Sequence, residues 1–263
     1  MKDQLHKASS IQRRIKTVGL VMSLLLVCST VRAQDYPEMI TVEGGSFIMG
    51  DESGDQDERP AHQVVIKTYC LAKTETTVGQ WKVFCQNTGR RMPEAPWFGL
   101  KSEHPVVNIS WDDAVAYCSW VSGKTGKHYR LPSESEWEFA ARGGVKSKGY
   151  PYSGGKTADS VGWLTGKTSG TMPVAQKLPN ELGLYDMTGN VWEWCSDWYD
   201  EGYYALSAKE NPKGPVRGMY YTLRGGAWDI GLRNCRVTYR NPLSPSSRNH
   251  NKGFRVACDA GLD

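Results

Sequence analysis

Residues 183–197 are the part of this chain that most limits how it can fold, and they read GLYDMTGNVWEWCSD. This signature loop, as we call it, is too rich in Gly and Asn for the interior of a helix. It is also too interrupted by small residues for a long strand. We therefore predict an irregular loop whose aromatic rings anchor it to a hydrophobic core.

The signature loop also alternates its rings with oxygen-bearing side chains, which indicates a site for a hard cation. Asp186 and Glu193 supply carboxylates, and a turn from Gly189 to Val191 directs main-chain carbonyl oxygens inward. Oxygen ligands of this kind are the ones that calcium prefers. The alternative interpretation is that Asp186 caps a turn and Glu193 pairs with an arginine.

The first 33 residues have the pattern of a targeting segment. Basic residues precede an apolar run at 18–27, which is too short to span a bilayer as a stable anchor. Ala33 stands at the expected cleavage site. Cys28 offers a lipoprotein alternative, which the bulky valine before it disfavours. We predict a signal peptide at 1–33, a domain at 34–263, and an exported protein that is periplasmic or secreted.

Removing that segment also removes the chain's excess of positive charge. The whole chain has 32 basic and 28 acidic residues, of which six and one fall within the first 33, leaving 26 against 27. No cluster of Lys and Arg interleaved with stacking aromatics remains, so we expect no nucleic-acid partner. No second apolar stretch reaches membrane length, so we expect no membrane span after cleavage.

Six cysteines lie beyond the targeting segment, and an even number in an oxidising compartment favours disulfides over free thiols. They are Cys70, Cys85, Cys118, Cys195, Cys235 and Cys258. Their spacing alone does not determine which of them pair. Because no CxxC motif is present, neither a zinc ribbon nor a thioredoxin-type redox motif is indicated.

Three helices are predicted by capping boxes, in which a hydroxyl accepts a hydrogen bond from a backbone N–H three residues on. The boxes begin at Thr77, Ser110 and Ser133, and the helices are expected to stop near Gly89, Gly123 and residues 143–144. Short strands are predicted at 40–42, 47–49, 63–70, 223–225 and 254–258. Loops are predicted at 143–179 and 201–219. The pattern indicates an α+β fold in a single domain.

Established catalytic motifs are missing from the sequence. None of the four histidines beyond the targeting segment forms HExxH, and no nucleophile elbow, P-loop or Gly-x-Gly-x-x-Gly is present. Glu134, Glu136 and Glu138 fall at the start of the third helix, where capping and the helix dipole explain acidic residues without catalysis.

Six motifs, in this order, resemble the signature of the formylglycine-generating-enzyme (sulfatase-modifying factor) family. They are 44–50 (GGSFIMG), 105–111 (PVVNISW), 129–138 (YRLPSESEWE), the signature loop, 224–228 (RGGAW) and 253–255 (GFR). The resemblance extends over about residues 39–258. It implies the C-type-lectin-like fold of that family. The family contains both oxidases and members without known chemistry, so the resemblance alone does not imply an activity.

The oxidases of this family carry two cysteines spaced Cys-x-x-x-x-Cys shortly after the motif at 224–228, where they bind copper(I) and engage the substrate thiol. Linear copper(I) coordination needs two soft thiolates. Between 226 and 240 this chain has Cys235 alone, and Ile230 stands where the first cysteine would fall. We therefore expect neither copper nor the formylglycine reaction.

For calcium, the resemblance supports the cation interpretation. It implies one structural site formed by the side chains of Asp186 and Glu193 with the carbonyl oxygens of Gly189 and Val191. Lectin-like folds often hold sugars through calcium, and this makes carbohydrate binding a third, weaker hypothesis for the function.

Two disulfides are predicted. Cys118 and Cys258 lie close to positions that are bridged in family members, and a bridge over so long a loop stabilises a fold by about 4 kcal/mol in the chain-entropy model. Cys195 and Cys235 flank the two segments most like the family signature and form the second predicted pair. Cys70 is then left to pair with Cys85 or to remain a buried thiol.

Trp228, Arg236 and Arg240 lie in the segment that lines the substrate groove of the oxidases. A flat ring and forked guanidinium groups suit an extended peptide or an acidic group. The alternative is that both arginines neutralise carboxylates of the signature loop. We predict a calcium-stabilised binding or scaffold protein with a protein or peptide partner in the bacterial envelope. The alternative function is an oxidoreductase of the formylglycine-generating type acting on an exported sulfatase cysteine or another envelope substrate.

Overall fold

Each of the three helices begins at the hydroxyl residue that its capping box predicts. The computed structural model describes residues 35–261, so the predicted signal peptide and Cys28 lie outside the described residues. The helices are α1 Val78–Thr88, α2 Trp111–Thr125 and α3 Glu134–Ala141. In all three, the cap hydroxyl accepts from the third helical N–H, and the side chain at that third position bonds back to the cap.

The ends of the helices agree with prediction except in α2. Helix α1 ends at Gly89, which adopts a left-handed conformation with φ of 70°. Helix α2 continues through Gly123 and ends at Gly126, with φ of 73°. A glycine inside a helix costs about 1 kcal/mol, and the buried stripe of α2 that includes Tyr117 and Val121 offsets this cost. Helix α3 stops at Arg142, next to the predicted glycines.

Ten short strands form three sheets in the described part of the chain. They are β1 Met39–Val42, β2 Gly45–Met49, β3 His62–Ile66, β4 Tyr69–Ala72, β5 Tyr129–Arg130, β6 Trp192–Trp198, β7 Tyr221–Arg224, β8 Asn241–Leu243, β9 Lys252–Gly253 and β10 Ala257–Asp259. One sheet has the order β1-β4-β10-β5, β2 and β3 form a hairpin, and the third has the order β8-β7-β6-β9.

The prediction of a loop throughout 183–197 is wrong for its second half, which forms β6. This strand lies between β7 and β9, and it is buried on both faces over most of its length. A strand covered on both faces does not show the polar alternation by which strands are recognised. The first half is irregular, with φ of 58° at both Asp186 and Asn190.

Two other strand predictions need correction. The strand predicted at 63–70 divides into β3 and β4, which belong to different sheets because β3 pairs with β2 whereas β4 pairs with β1 and β10. Of the strand predicted at 254–258, only the last two residues form part of β10. The strands near 40–42, 47–49 and 223–225 are confirmed with slightly different ends.

The two predicted loop regions are confirmed. Within 143–179 and 201–219 the helical elements are short 3₁₀ helices, Gly144–Lys146, Ala158–Ser160 and Tyr203–Leu206. Among the described residues, no helix has the length and apolar character needed to cross a membrane. The described residues group into one compact unit by their contacts, so the α+β single-domain prediction holds.

Large rings fill much of the core between these elements. Tyr221 of β7 stacks between Trp111 and Trp198, with ring centroids 3.9 Å away on each side. Trp81 of α1 stacks on Tyr117 of α2 at 5.7 Å, which joins the first two helices. Stacked rings of this kind contribute about 1 kcal/mol each beyond their burial. The aromatic residues thus connect helices to sheets where regular structure is sparse.

Neither predicted disulfide is formed in the structure, in which all six cysteines of the described chain are free thiols. Cys195 and Cys235 pack in different apolar clusters. Cys118 and Cys258 share one cluster, but the residue directly opposite Cys258 on the neighbouring strand is Cys70. The two predicted pairings therefore stay predictions. The strand register adds a third possible pairing, between Cys70 and Cys258.

Helix α3 is held by buried ion pairs that its sequence does not reveal. Glu134 and Glu138 are almost fully buried, and they meet Arg224 and Arg240, which are buried as well. Burial alone would raise the pKa of Glu134, but the charges of Arg240 and Arg224 outweigh it and hold that pKa below its usual value. Capping and the helix dipole therefore do not fully explain these glutamates, because they are the anionic half of a core network.

This network predicts a large loss of stability when one carboxylate is removed. Glu134→Ala leaves the Arg240 guanidinium buried without its partner, which should lower the free energy of unfolding by about 3–5 kcal/mol in urea titrations. The matched control is Asp159→Ala, whose partner Lys167 is half exposed; it should cost less than about 1 kcal/mol. Similar losses in the two variants would contradict a structural role for the network.

Candidate binding site

Four rings form an aromatic patch beside the motif at 224–228. Trp97, Phe98, Trp228 and His250 contact one another, with ring centroids between 4.6 and 5.9 Å apart. Trp97 is 70% exposed whereas Trp228 is 7% exposed. The Trp228 indole N–H is buried and has no acceptor within residues 35–261. The patch therefore presents an exposed ring above a buried one that still has an unused donor.

Hydrogen-bonding groups line one edge of the aromatic patch. His250 Nε2 lies 3.2 Å from Asp229 Oδ2, and Asn251 Nδ2 donates to both Asp229 oxygens at 2.8 and 3.1 Å. Lys252 Nζ donates to Asn251 Oδ1 at 2.8 Å. Burial lowers the pKa of Lys252, and the negative charge of Asp229 acts against this shift. The edge thus offers an imidazole and a carboxylate whose positions are fixed by bonds within the protein.

A pair of glycines places Trp228 in the patch. Gly225 and Gly226 follow β7 with φ of 95° and 78°, in the left-handed region that favours glycine. The turn brings the Trp228 backbone N–H to the Asn190 carbonyl at 2.9 Å. Trp97 arrives from the loop after α1. The patch is therefore assembled from segments that are far apart in the sequence.

Cys235 is the thiol beside this turn, and its surroundings are apolar. Its Sγ lies 4.0 Å from the Ile230 carbonyl oxygen, and it packs with Ala158 and Leu164. Burial raises the pKa of the Cys235 thiol to about 12. Ile230 and Cys235 therefore place a hydrocarbon side chain and a buried thiol beside this turn.

Arg236 and Arg240, which were predicted to line a groove with Trp228, are engaged inside the protein. Arg240 is 2% exposed, and its Nε and Nη2 donate to the Glu134 carboxylate at 2.7 and 2.8 Å. Arg236 donates to both oxygens of Glu58, at 2.8 and 2.5 Å. The carboxylates that these two arginines neutralise, Glu58 and Glu134, lie outside the signature loop, so the structure does not show the alternative pairing. Of the predicted set, Arg240 is buried, whereas the Arg236 side chain is 18% exposed and Trp228 is 7% exposed beneath Trp97, and a binding role for these residues stays a prediction.

The signature loop brings its two predicted calcium carboxylates into one buried cluster. They differ in their hydrogen bonds, because only Asp186 has an oxygen atom without a donor. Glu193 accepts from Nε and Nη2 of Arg255 and from Nε1 of Trp137, each at 2.7 Å. This is the arginine pairing of the alternative interpretation, and a role for Glu193 as a calcium ligand stays a prediction. Asp186 accepts from the Ala175 N–H at 2.7 Å through Oδ2, whereas its Oδ1 has no donor within the described chain.

Glu75 joins this cluster from the connection between β4 and α1. Its oxygens accept from Asn190 Nδ2 at 2.8 Å and from the Val191 N–H at 3.2 Å. Burial raises the pKa of Glu75 well above its usual value, and the charges of Asp186 and Glu193 add to the effect. Burial likewise raises the pKa of Asp186 to about 6. The cluster therefore has more carboxylates than its buried arginine neutralises.

Metal binding at this cluster stays a prediction. In residues 35–261, no group of three or more His, Cys, Asp or Glu side chains is arranged to hold a metal ion. Such a group is not required for calcium, since carbonyl oxygens also serve as ligands. Of the two predicted carboxylates, Asp186 fits the role because one of its oxygens is open.

Five residues of these sites were not predicted from the sequence: Trp97, Phe98, Asp229, His250 and Glu75. Trp97 and Phe98 had a local signal, because they form a Trp-Phe pair in a loop rich in Pro and Gly, where no periodic core pattern requires a ring. The other three had no such signal. Their partners come from other segments, and pairing over such distances leaves no trace in local sequence.

Comparisons with known proteins give the same family as the motifs. The sequence model of the family "Sulfatase-modifying factor enzyme 1-like domain" matches residues 27–260. The formylglycine-generating enzyme of Streptomyces coelicolor is 33% identical, over 85% of this chain and 90% of the enzyme. The inactive C-alpha-formylglycine-generating enzyme 2 of Mus musculus is 30% identical, over 90% of this chain and 91% of that protein.

A third relative is much longer than this chain. The serine/threonine-protein kinase pkn1 of Chlamydia caviae is 35% identical over 84% of this chain, but the chain spans only 38% of the length of that protein. The likeness therefore concerns one part of the chlamydial protein.

Solved structures share the fold. PvdO from Pseudomonas aeruginosa matches with a TM-score of 0.77 and 29% identity, over 86% of this chain and 95% of its own. Treponema denticola variable protein 1 matches with a TM-score of 0.74 and 27% identity, over 84% of this chain and 95% of its own. Together with the family match, these likenesses confirm the predicted formylglycine-generating-enzyme fold.

The buried Asp186 predicts how stability depends on pH. The folded protein retains the Asp186 proton up to about pH 6, whereas its ordinary pKa is 3.8. The folded state therefore binds more protons in this window, and the free energy of unfolding falls as pH rises through it, by about 3 kcal/mol for this group. Asp186→Asn removes this titration. In calcium-free urea titrations, the fall in its free energy of unfolding between about pH 4 and pH 7 should therefore be about 3 kcal/mol smaller than the fall for wild type.

Asparagine suits this position because it tolerates a positive φ and can still accept from the Ala175 N–H. Asp159→Asn, at an exposed carboxylate, is the matched control and should follow wild type. If Asp186→Asn also follows wild type, Asp186 does not titrate as a buried acid.

Proposed function

Because the chain belongs to the sulfatase-modifying-factor (formylglycine-generating-enzyme) family, we propose that it is a binding member of that family that does not generate formylglycine. Its proposed ligand is a protein or peptide of the bacterial envelope, and the aromatic patch is the proposed binding surface. The observation that carries the proposal is that position 230 holds an isoleucine and that the one cysteine between 226 and 240, Cys235, is buried beside that patch.

Copper(I) chemistry is disfavoured here by both residues. Isoleucine has no ligand atom, so a second thiolate is missing from the two-coordinate site. With a pKa of about 12 for Cys235, forming its thiolate near pH 7 costs about 7 kcal/mol. A metal ion bound through one sulfur would have to offset this cost without a second soft ligand.

The relatives are compatible with a family member that lacks the reaction. The mouse protein at 30% identity is named as an inactive formylglycine-generating enzyme, which indicates that members without this activity exist. The identity to the Streptomyces coelicolor enzyme keeps the oxidoreductase alternative in view. The chemistry of positions 230 and 235 favours the binding role over that alternative.

The test of activity is a peptide assay. The purified protein is incubated with copper(I), oxygen and a peptide containing Cys-x-Pro-x-Arg, and mass spectrometry follows loss of the thiol and gain of an aldehyde. We expect no conversion, because two thiolates are not available at Ile230 and Cys235. The Streptomyces coelicolor relative is the positive control. Conversion by this protein would replace the binding proposal with an oxidoreductase acting on an exported sulfatase cysteine.

The aromatic patch has the properties of a recognition surface. Exposed tryptophan is concentrated at binding sites because a large rigid ring contributes contact area at low entropic cost. Trp97 is exposed next to the Asp229 and His250 edge, so a ligand that covers the ring also meets a carboxylate and an imidazole. An extended peptide offers both an apolar side chain for the ring and backbone groups for the edge.

Truncating the exposed ring should weaken binding without unfolding the protein. We expect Trp97→Ala to reduce capture of envelope partners by at least about tenfold, since central aromatic residues often contribute 2 kcal/mol or more, as an order of magnitude. Leu206→Ala, at a residue 84% exposed and outside the patch, is the matched control. The measurement is a pull-down from envelope extract, quantified by mass spectrometry. Equal recovery by both variants would remove the patch as the binding surface.

A sugar ligand is tested with the same two variants on an immobilised glycan. Retention on an immobilised glycan that depends on Trp97, without capture of a protein, would favour the carbohydrate hypothesis instead.

We also propose that a structural calcium ion binds at Asp186. The open Oδ1 and the excess of carboxylates in its cluster support a structural cation there. Calcium added to the urea titrations should raise the free energy of unfolding of wild type at pH 7, and it should raise that of Asp186→Asn by less, because an amide oxygen can ligate calcium but carries no negative charge. If calcium has no effect on wild type, the cofactor is not calcium.

Export is proposed from the targeting pattern of the first 33 residues, with a periplasmic or secreted location and lipid attachment at Cys28 as the lesser alternative. Sequencing the N terminus of the protein isolated from cells tests this. A mature chain that begins at Gln34 supports the proposal, and an uncleaved chain overturns it.

A further inference from the structure

The pairing of β4 with β10 brings together two thiols that neither the spacing of the cysteines nor the family resemblance joins. From this juxtaposition we infer that Cys70 and Cys258 form a cross-strand disulfide in an oxidising environment. This bridge takes the place of the Cys118–Cys258 pairing that the resemblance implies.

The strand register places the two cysteines directly opposite each other. Cys258 pairs with Cys70, between the pairs Ala257 with Leu71 and Asp259 with Tyr69. Both strands are interior in the order β1-β4-β10-β5, so the register is held from both sides. A slip of one residue would move every buried side chain of β10 to the other face, which further protects the pairing.

The backbone separation at this pair suits a disulfide. Two residues along β4, the Ala72 N–H donates to the Val256 carbonyl at 2.8 Å. Hydrogen-bonded pairs alternate along an antiparallel ladder, so Cys70 and Cys258 fall at a hydrogen-bonded pair with Cα atoms about 5.5 Å apart. Disulfides join Cα atoms about 4.4–6.8 Å apart. The Cα separation at this pair is therefore within the range that a disulfide spans.

The side chains point to the same face of the sheet and already interact. Burial and the neighbouring Cys70 thiol together raise the pKa of Cys258 to about 12. On the other side of β4, the Cys70 Sγ lies 3.8 Å from the hydroxyl of Thr41 in β1. Cys118, by contrast, lies on α2, and its thiol is buried in the same cluster without facing β10 in a strand register.

The difference in exposure between the two thiols indicates which of them reacts first with an oxidant. Cys70 is partly exposed whereas Cys258 is 2% exposed, so a dissolved oxidant reaches Cys70 first. With glutathione disulfide as the oxidant, the Cys70 thiolate attacks one sulfur and releases one glutathione thiolate. The Cys258 thiolate then attacks the Cys70 sulfur of the mixed disulfide and releases the second. Two electrons pass to the glutathione disulfide, and the two cysteine protons end on two glutathione thiols.

The bridge would join the last strand to a strand near the start of the domain. Cross-linking two residues so far apart in the sequence restricts the unfolded chain and raises the melting temperature. Because Cys258 is buried and its thiolate is rare, the native protein should oxidise slowly. Oxidation during folding, when both thiols are accessible, should be faster.

Peptide mapping tests the inference directly. Wild type is refolded from urea in a glutathione redox buffer, alkylated, digested without reductant and analysed by mass spectrometry. We expect a linked peptide pair containing Cys70 and Cys258, and a melting temperature about 10 °C above that of the reduced protein. A linked pair containing Cys118 and Cys258, or alkylation of both Cys70 and Cys258, would overturn the inference.

Two variants test which cysteine is the partner of Cys258. Cys118→Ser should retain the linked pair and the difference in melting temperature between oxidised and reduced protein. Cys70→Ser should lose that difference and leave Cys258 open to alkylation in urea. If Cys118→Ser loses the difference instead, the bridge involves Cys118. The experiment uses purified protein and no ligand, so its outcome is independent of the proposed binding function.

Discussion

Buried pairs of carboxylate and guanidinium groups connect parts of this protein that share little regular secondary structure. Each pair joins α3 or β6 to another segment of the chain: Glu134 with Arg240, Glu138 with Arg224, and Glu193 with Arg255. All six side chains are at most 2% exposed. Removing one partner from such a pair leaves a charge in a medium that solvates it poorly, so the segments are constrained to meet. A fold with short helices and strands obtains its specific arrangement in this way.

The candidate binding site lies at the edge of this framework and does not form part of it. β7 contributes Arg224 to the network, and the chain then turns through two glycines to reach Trp228. The side chains of Ile230 and Cys235 pack in one small apolar cluster and form no ion pair. Because no buried charge depends on positions 230 and 235, their chemistry can change without disturbing the framework.

The cluster of Glu75, Asp186 and Glu193 differs from the rest of the network in its charge balance. Glu193 is neutralised by Arg255, but Asp186 keeps an open oxygen, and the pKa of both Glu75 and Asp186 is raised. Such a group is stable when it is protonated or when a cation is nearby. The main charged groups of α3 are paired within the protein, whereas this cluster has three carboxylates and one buried arginine.

The sequence by itself determined the starts of the three helices, the loop-rich regions, the family motifs and the missing cysteine at Ile230. These features depend on atoms a few residues apart, or on residue identity at one position, so local sequence records them. Only the tertiary structure decided that β6 is a strand, that Arg240 is a core residue, and that Cys70 faces Cys258. Each of these depends on which distant segment lies alongside. Burial and ion pairing across such distances are set by the packing of the whole domain, which no local pattern contains.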